Sequence, residues 1–221
     1  MSRTGTPHRQ EDSVELVREF VDHWLALSGE VWFAPGGADD IRATLGEAAA
    51  AMAPPSGPGV SRRVVVWSTE ELAGLNLREV LTPHGFEFAA VGADRPVASH
   101  NTDDGDVAAV ARTMAAAADL GITSCAWAAA ETGTIALYAT PNTGRLASLL
   151  PTAHITLVRP SQIVRTIPEG LVLLADYAAH EGGFPSGVNL VSGPSRTGDI
   201  EGDLAVGAHG PVRAGVIIGD W

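Results

Sequence analysis

Two polar, glycine-bearing stretches concentrate the residue types able to do chemistry. The longer runs Ser192-Gly193-Pro194-Ser195-Arg196-Thr197-Gly198-Asp199-Ile200 and continues through Gly207-Ala208-His209-Gly210-Pro211; the shorter is Glu131-Thr132-Gly133-Thr134. Hydroxyls, a forked guanidinium and exposable backbone N–H groups suit a phosphate or a carboxylate. An Arg196–Asp199 or Arg196–Glu201 ion pair that fixes a loop is the alternative. Glu131 follows an uncharged run from Gly121 to Ala130. Such a carboxylate at the mouth of a sheet acts as nucleophile or general base when its surroundings tune it, or else accepts backbone N–H bonds in a turn. His209, between Gly207 and Gly210-Pro211, is either a proton carrier near neutral pH or a ring that bonds a loop carbonyl. Together the stretches predict a cleft for a small anionic molecule. Glu131 and His209 are its candidate catalytic groups, and Thr132, Gly133, Thr134, Ser192, Gly193, Ser195, Arg196, Thr197 and Asp199 its candidate ligand-binding residues.

Other chemistries lack their residues. The sequence has no GxxxxGK[ST], no GxGxxG after a strand and no HExxH, which disfavours a P-loop nucleotidase, a standard dinucleotide fold and a zincin. Thr102-Asp103-Asp104-Gly105-Asp106 lacks calcium-loop spacing and reads as acidic capping of a helix start, so no metal is expected. With 14 Lys plus Arg against 26 Asp plus Glu, the net charge of −12 argues against nucleic acid and against anionic membrane surfaces. A single cysteine, Cys125, leaves no disulfide framework and no four-cysteine cluster within the chain, and no cofactor is expected. Cys125 and Trp127, in an alanine-rich run, read as core, and His154 as a satisfied histidine at the head of a strand. Residues 1–12 are polar and read as a flexible start. Nowhere do about 18 apolar residues run uninterrupted, so a cytoplasmic protein without membrane insertion is expected.

The elements that must position the two stretches alternate. Leu16, Phe20, Trp24 and Leu27 make one helical stripe after a cap at Asp12 or Ser13, and Ile41, Leu45, Ala48 and Met52 make another. Val31–Ala34, Val64–Trp67, Phe86–Val91 and Ala153–Val158 read as buried strands. Residues 122–130 and 135–138 read as strand segments joined at the polar corner, and Ser161 as the start of a helical region interrupted by Pro168. One domain over 13–221 is expected, an α/β fold with a mostly parallel sheet and helices on both faces. Ligands of such sheets bind beyond the carboxyl ends of the strands.

Gly121-Ile122-Thr123, Ala130-Glu131-Thr132-Gly133-Thr134, Arg145, Leu150-Pro151 with His154-Ile155, Ser192 to Thr197 with Asp199-Ile200-Glu201, and Gly207 with His209-Gly210-Pro211 resemble, in this order, the lactate utilization protein C family, the LUD domain. The likeness covers residues 107 to 218. It departs at Gly198, usually alanine, and at Ala126-Trp127, usually a more polar pair. The resemblance implies a fold of the NagB/RpiA/CoA-transferase group and a non-redox part in oxidising L-lactate to pyruvate, with iron–sulfur subunits as partners. By analogy with the Glu-x-Gly turn of some CoA-transferases, Glu131 would attack or activate a group held by Arg196. A stand-alone sugar-phosphate isomerase-like or acyl-transfer enzyme, and a docking protein for iron–sulfur subunits, are the competing readings; whether the chain is an enzyme stays open.

Overall fold

A computed structural model describes residues 7–55, 61–89, 113–140, 142–198, 204–206 and 210–221. Its centre is a six-stranded, all-parallel sheet. In chain order the strands are β1 (Glu30–Ala34), β2 (Arg62–Val66), β3 (Phe86–Ala89), β4 (Leu120–Ser124), β7 (Ala153–Val158) and β12 (Arg213–Gly219). In space they run β1-β12-β7-β4-β2-β3. The β-branched run of β2, the buried β4 and β7 and the nearly all-buried β12 show why: strands covered on both faces are mostly apolar, and polar residues among them such as Thr123, His154 and Thr156 bond one another.

Glycines set how closely the helices approach. Gly121 in β4 lies against Ala147 of α5 (Leu146–Leu149), where a Cβ would overlap a backbone carbonyl. Gly215 in β12 lies under Met52 of α2 (Ala38–Met52). Gly121 is in register with His154 and Ala214, and Gly215 with Ile155, so successive pleats put α5 and α2 on opposite faces. The fold is mixed α/β with helices on both faces, as expected.

A second, four-stranded sheet was not legible as separate. Its order is β8 (Ile163–Val164), β5 (Trp127–Ala129), β6 (Thr134–Ala139), β9 (Gly187–Val191). The apolar run 122–130 therefore divides at Cys125-Ala126 between two sheets. One face of the small sheet, with Ala128, Ile135 and Leu137, joins the main core. On the other, Trp127, Ala136 and Tyr138 are covered by Leu174 and Tyr177 of α6 (Ile167–His180). Pro168 opens that helix rather than interrupting it, because proline's fixed φ and missing N–H suit a first turn. The first helix, α1 (Pro7–Ala26), likewise begins at a proline, inside the stretch read as flexible; residues 1–6 and the acidic 102–106 turn lie outside the described residues. A short hairpin, β10 (Arg196–Gly198) with β11 (Leu204–Val206), completes the strands.

His154 sits inside the main sheet, fully buried. Its Nε2 is 2.9 Å from Thr123 Oγ1, which in turn is 3.2 Å from Thr156 Oγ1. Burial pushes the imidazole down to about 4 from the usual 6.5. Between these values the unfolded chain binds a proton that the folded one refuses, so stability is full above pH 6.5 and falls as pH drops toward 4. The expected loss over that window is on the order of 3 kcal/mol. Urea denaturation at pH 7 and 4.5 checks it: His154→Gln should remove most of the difference, and an unchanged pH dependence would assign it to other groups.

Candidate functional site

The two polar stretches do come together, around the C-terminal end of α1. The corner begins at Ala130, whose carbonyl is 3.0 Å from His23 Nδ1. Gly133, at φ +56°, lets the chain turn where a Cβ would stand 2.6 Å from the Trp24 backbone nitrogen. Gly193, at φ +79°, meets Leu27 in the same way. Thr132, Thr134 and Ser192 hydroxyls are linked by two 2.8 Å hydrogen bonds, because Ile135 pairs with Val191 in the small sheet. Ser195 donates its N–H to the Pro211 carbonyl at 2.9 Å. Arg196 donates to the Leu27 carbonyl just beyond α1, a cation at the negative end of a helix dipole.

The Glu131 carboxylate also has a partner. It accepts the N–H of Ile167 at 3.2 Å, at the first turn of α6, while its own N–H donates to the Arg165 carbonyl at 3.0 Å. Glu131 thus binds one of the N–H groups that a helix start leaves open. The side chain of Thr197, and all of Asp199 and His209, lie outside the described residues.

A concavity of about 830 Å³ opens elsewhere, where β2 and β4 end. The chain leaves β2 through α3 (Glu70–Ala73) toward β3 on one side, and leaves β4 toward β7 on the other. Diverging connections open a crevice between adjacent strands, the usual ligand position in such sheets. Its floor is Trp67, 6% exposed, with Ser124, Cys125 and Tyr138. One wall is Ser68, Thr69 and Glu70, held by the Thr69 cap on Leu72 N–H and by the Glu71–Arg159 ion pair. The opposite wall is the outer half of α6, with Asp176, Tyr177 and His180.

This floor is rigid. Trp67 Nε1 donates to the Gly144 carbonyl at 2.9 Å, and Trp127, packed behind, donates to Tyr138 Oη at 3.0 Å. Gln162 holds the Cys125 carbonyl at 2.6 Å. Burial pushes the Cys125 thiol up to about 12, which makes it a filler and not a nucleophile. Burial also raises the Tyr138 phenol, so it stays protonated with a proton to donate. The Ser124 hydroxyl, on a residue 5% exposed, has no protein partner among the described residues. Among the described residues no three His, Cys, Asp or Glu side chains gather as metal ligands, and no helix is long and apolar enough to cross a membrane.

A family model for the LUD domain matches residues 17–218. The chain belongs to the LUD domain family. It is 37% identical to the lactate utilization protein C of an Exiguobacterium species over 142 residues, covering 61% of this chain and 62% of that protein. With the lactate utilization protein C of Bacillus subtilis the identity is 41% over 101 residues, 46% of this chain and 42% of that protein. The chain thus spans about half the length of the relatives it matches. The crystal structure of a DUF162 family protein from Deinococcus radiodurans superimposes with a TM-score of 0.58 at 27% identity, covering 94% of this chain and 98% of that one.

In this LUD domain the crevice between β2 and β4 escaped the reading of single motifs. Its residues come from four distant segments, each ordinary alone. The usable signal was the β-branched β2 followed at once by Ser68-Thr69, since polar residues after a buried parallel strand mark its carboxyl end. Glu131 bears on the crevice indirectly, by fastening the start of the helix that walls it. Glu131→Ala is expected to speed amide exchange in the first turn of α6 about tenfold, the effect of one charged hydrogen bond worth roughly 1.5 kcal/mol. Glu131→Gln, which keeps an acceptor oxygen, should stay near wild type; unchanged exchange in the alanine variant would show that the carboxylate does not hold the helix.

Proposed function

We propose that this LUD domain serves the oxidation of L-lactate to pyruvate as a non-redox component, with a small-molecule site in the crevice between β2 and β4. The observation that carries the pathway is the identity, 36% to 43%, to proteins named lactate utilization protein C. Removing two electrons and two protons from lactate requires an acceptor. A chain whose one cysteine is a buried, protonated thiol cannot bind a four-cysteine cluster. Iron–sulfur partner subunits are therefore proposed to carry the electrons, in the cytoplasm, with this chain contributing ligand binding or assembly.

A second reading places a small anion at the corner of residues 131–134 and 192–211. The linked hydroxyls of Thr132, Thr134 and Ser192 beside the exposed Arg196 favour it. On that reading Glu131 and His209 would act on the bound anion. Arg196→Ala separates the two: loss of ligand affinity with little change in melting temperature supports the anion site, whereas a lowered melting temperature with intact affinity supports a fastening role.

Deleting the gene in its own host is expected to abolish growth on L-lactate while sparing growth on glucose. Reintroducing the wild-type chain should restore growth. Ser68→Trp, which fills the crevice mouth at an exposed position, should fail to do so while melting like the wild type. Normal growth of the deletion strain on lactate would overturn the pathway, and full rescue by Ser68→Trp would overturn the crevice.

A further inference from the structure

The charges around the crevice do not suit lactate. Glu70, Asp176 and Glu181 line it, and among the described residues none of the three has an ion-pair partner. All the basic residues of the chain other than histidine are arginines, since the sequence contains no lysine. Among the described residues no arginine lines the crevice, and His180 is its one imidazole. A carboxylate or phosphate ligand placed there would face three carboxylates without a guanidinium to offset them, and loss of its hydration would go uncompensated.

The surfaces present instead fit a flat ring. The Trp67 indole and the Tyr138 phenol are fixed by their hydrogen bonds, and Tyr177 stands edge-on to Tyr138 with ring centroids 5.1 Å apart. Rigid aromatic rings bind another π-system at little entropic cost, and where a ring offers its negative face it favours a cationic ring over an anionic one. Two polar groups then await a ligand atom. Among the described residues the Ser124 hydroxyl, on a residue 5% exposed, makes no hydrogen bond, and Tyr138 Oη accepts from Trp127 while its own proton has no protein acceptor. Both line the crevice, where a ring's carbonyl or ring nitrogen would reach their hydroxyls. The volume, about 830 Å³, lies within the range of sites for ligands of nucleoside size or somewhat larger.

We infer that the crevice between β2 and β4 binds a planar heteroaromatic molecule, neutral or positively charged, its ring against Trp67 and Tyr177 and its polar edge on Ser124 and Tyr138. Lactate and pyruvate are then not its ligands. In the proposed pathway the crevice would hold a ring compound beside the reaction, and the lactate carboxylate would be recognised elsewhere. The inference rests on the reading of this crevice as the ligand site.

Tryptophan-fluorescence titration of the full chain tests it with four probes: riboflavin, nicotinamide riboside, lactate and pyruvate. Riboflavin or nicotinamide riboside should quench the emission saturably, and lactate and pyruvate should not. Ser124→Ala should weaken the binding probe about tenfold, and Ser68→Trp should abolish its binding. Asp176→Asn should weaken nicotinamide riboside about threefold and leave riboflavin unchanged. Melting temperatures of the variants guard against unfolding, and Ser68→Trp, at an exposed position, keeps the test open should Ser124→Ala prove unstable. Saturable binding of lactate or pyruvate that Ser68→Trp blocks would leave the crevice as the site but overturn its ligand class. Ring binding indifferent to Ser68→Trp would overturn the site itself. Binding of none of the four would overturn the ligand class.

Discussion

The corner from Ala130 to Gly133 ties two strands to two helices. It turns β5 into β6 and so creates the small sheet. Its Ala130 carbonyl and its Gly133 backbone sit against the last turn of α1, and its Glu131 takes the first turn of α6. A backbone approach as close as that of Gly133 to Trp24 tolerates no side chain, and the left-handed φ there disfavours one in any case. Glycine at this position is thus a packing requirement as much as a turn requirement. Residues 130–133, proposed from their types as chemistry, also form in the folded chain the joint between the small sheet and two helices.

The joint has a consequence for the crevice. α6 is anchored at its start, where Glu131 meets Ile167 and Gly170 lies flat on the Trp127 indole. Past that point Leu171, Val172 and Leu173 are exposed, and the outer half of the helix overhangs the crevice through Asp176, Tyr177 and His180. The floor is held independently, by Gln162 on the Cys125 carbonyl and by Gly144 on Trp67. A rigid floor beneath a wall that packs on it through Leu174 and Tyr177 lets a ligand bind with little rearrangement of the sheet.

Much of this was legible in the sequence. Phe20 and Trp24 of the first helical stripe, all of Ile41–Leu45–Ala48–Met52, and Val64 and Val65 are buried as their periods require, with Leu16, Leu27 and Val66 half-buried beside them. The parallel sheet followed from strands and helices in alternation. What escaped has physical reasons. The run 122–130 reads as continuous because both of its halves are fully buried, and nothing in an apolar pattern marks the change of sheet at Cys125-Ala126. Pro168 reads equally as a break or as a first turn until Thr166 is seen to cap it. For the candidate site, the approach of residues 131–134 to residue 192 was anticipated, while the partners of Glu131 and Arg196 were not. Both bind backbone groups more than 30 residues away in the chain, and backbone groups leave no trace in residue type.

The electrostatics divide the molecule in the same way. Arginines at the joint are used on helix ends and on carboxylates, as with Arg196 on Leu27 and Arg165 on Glu19, whereas among the described residues the carboxylates of the crevice have no ion-pair partner. The central claim is that ligand binding belongs to the crevice and architecture to the joint. Amide chemical-shift mapping during a titration with riboflavin or nicotinamide riboside tests it most directly. Shifts confined to residues 67–70, 124–127 and 173–181 are the predicted result; shifts centred on residues 131–134 and 192–196, with the crevice unmoved, would contradict it.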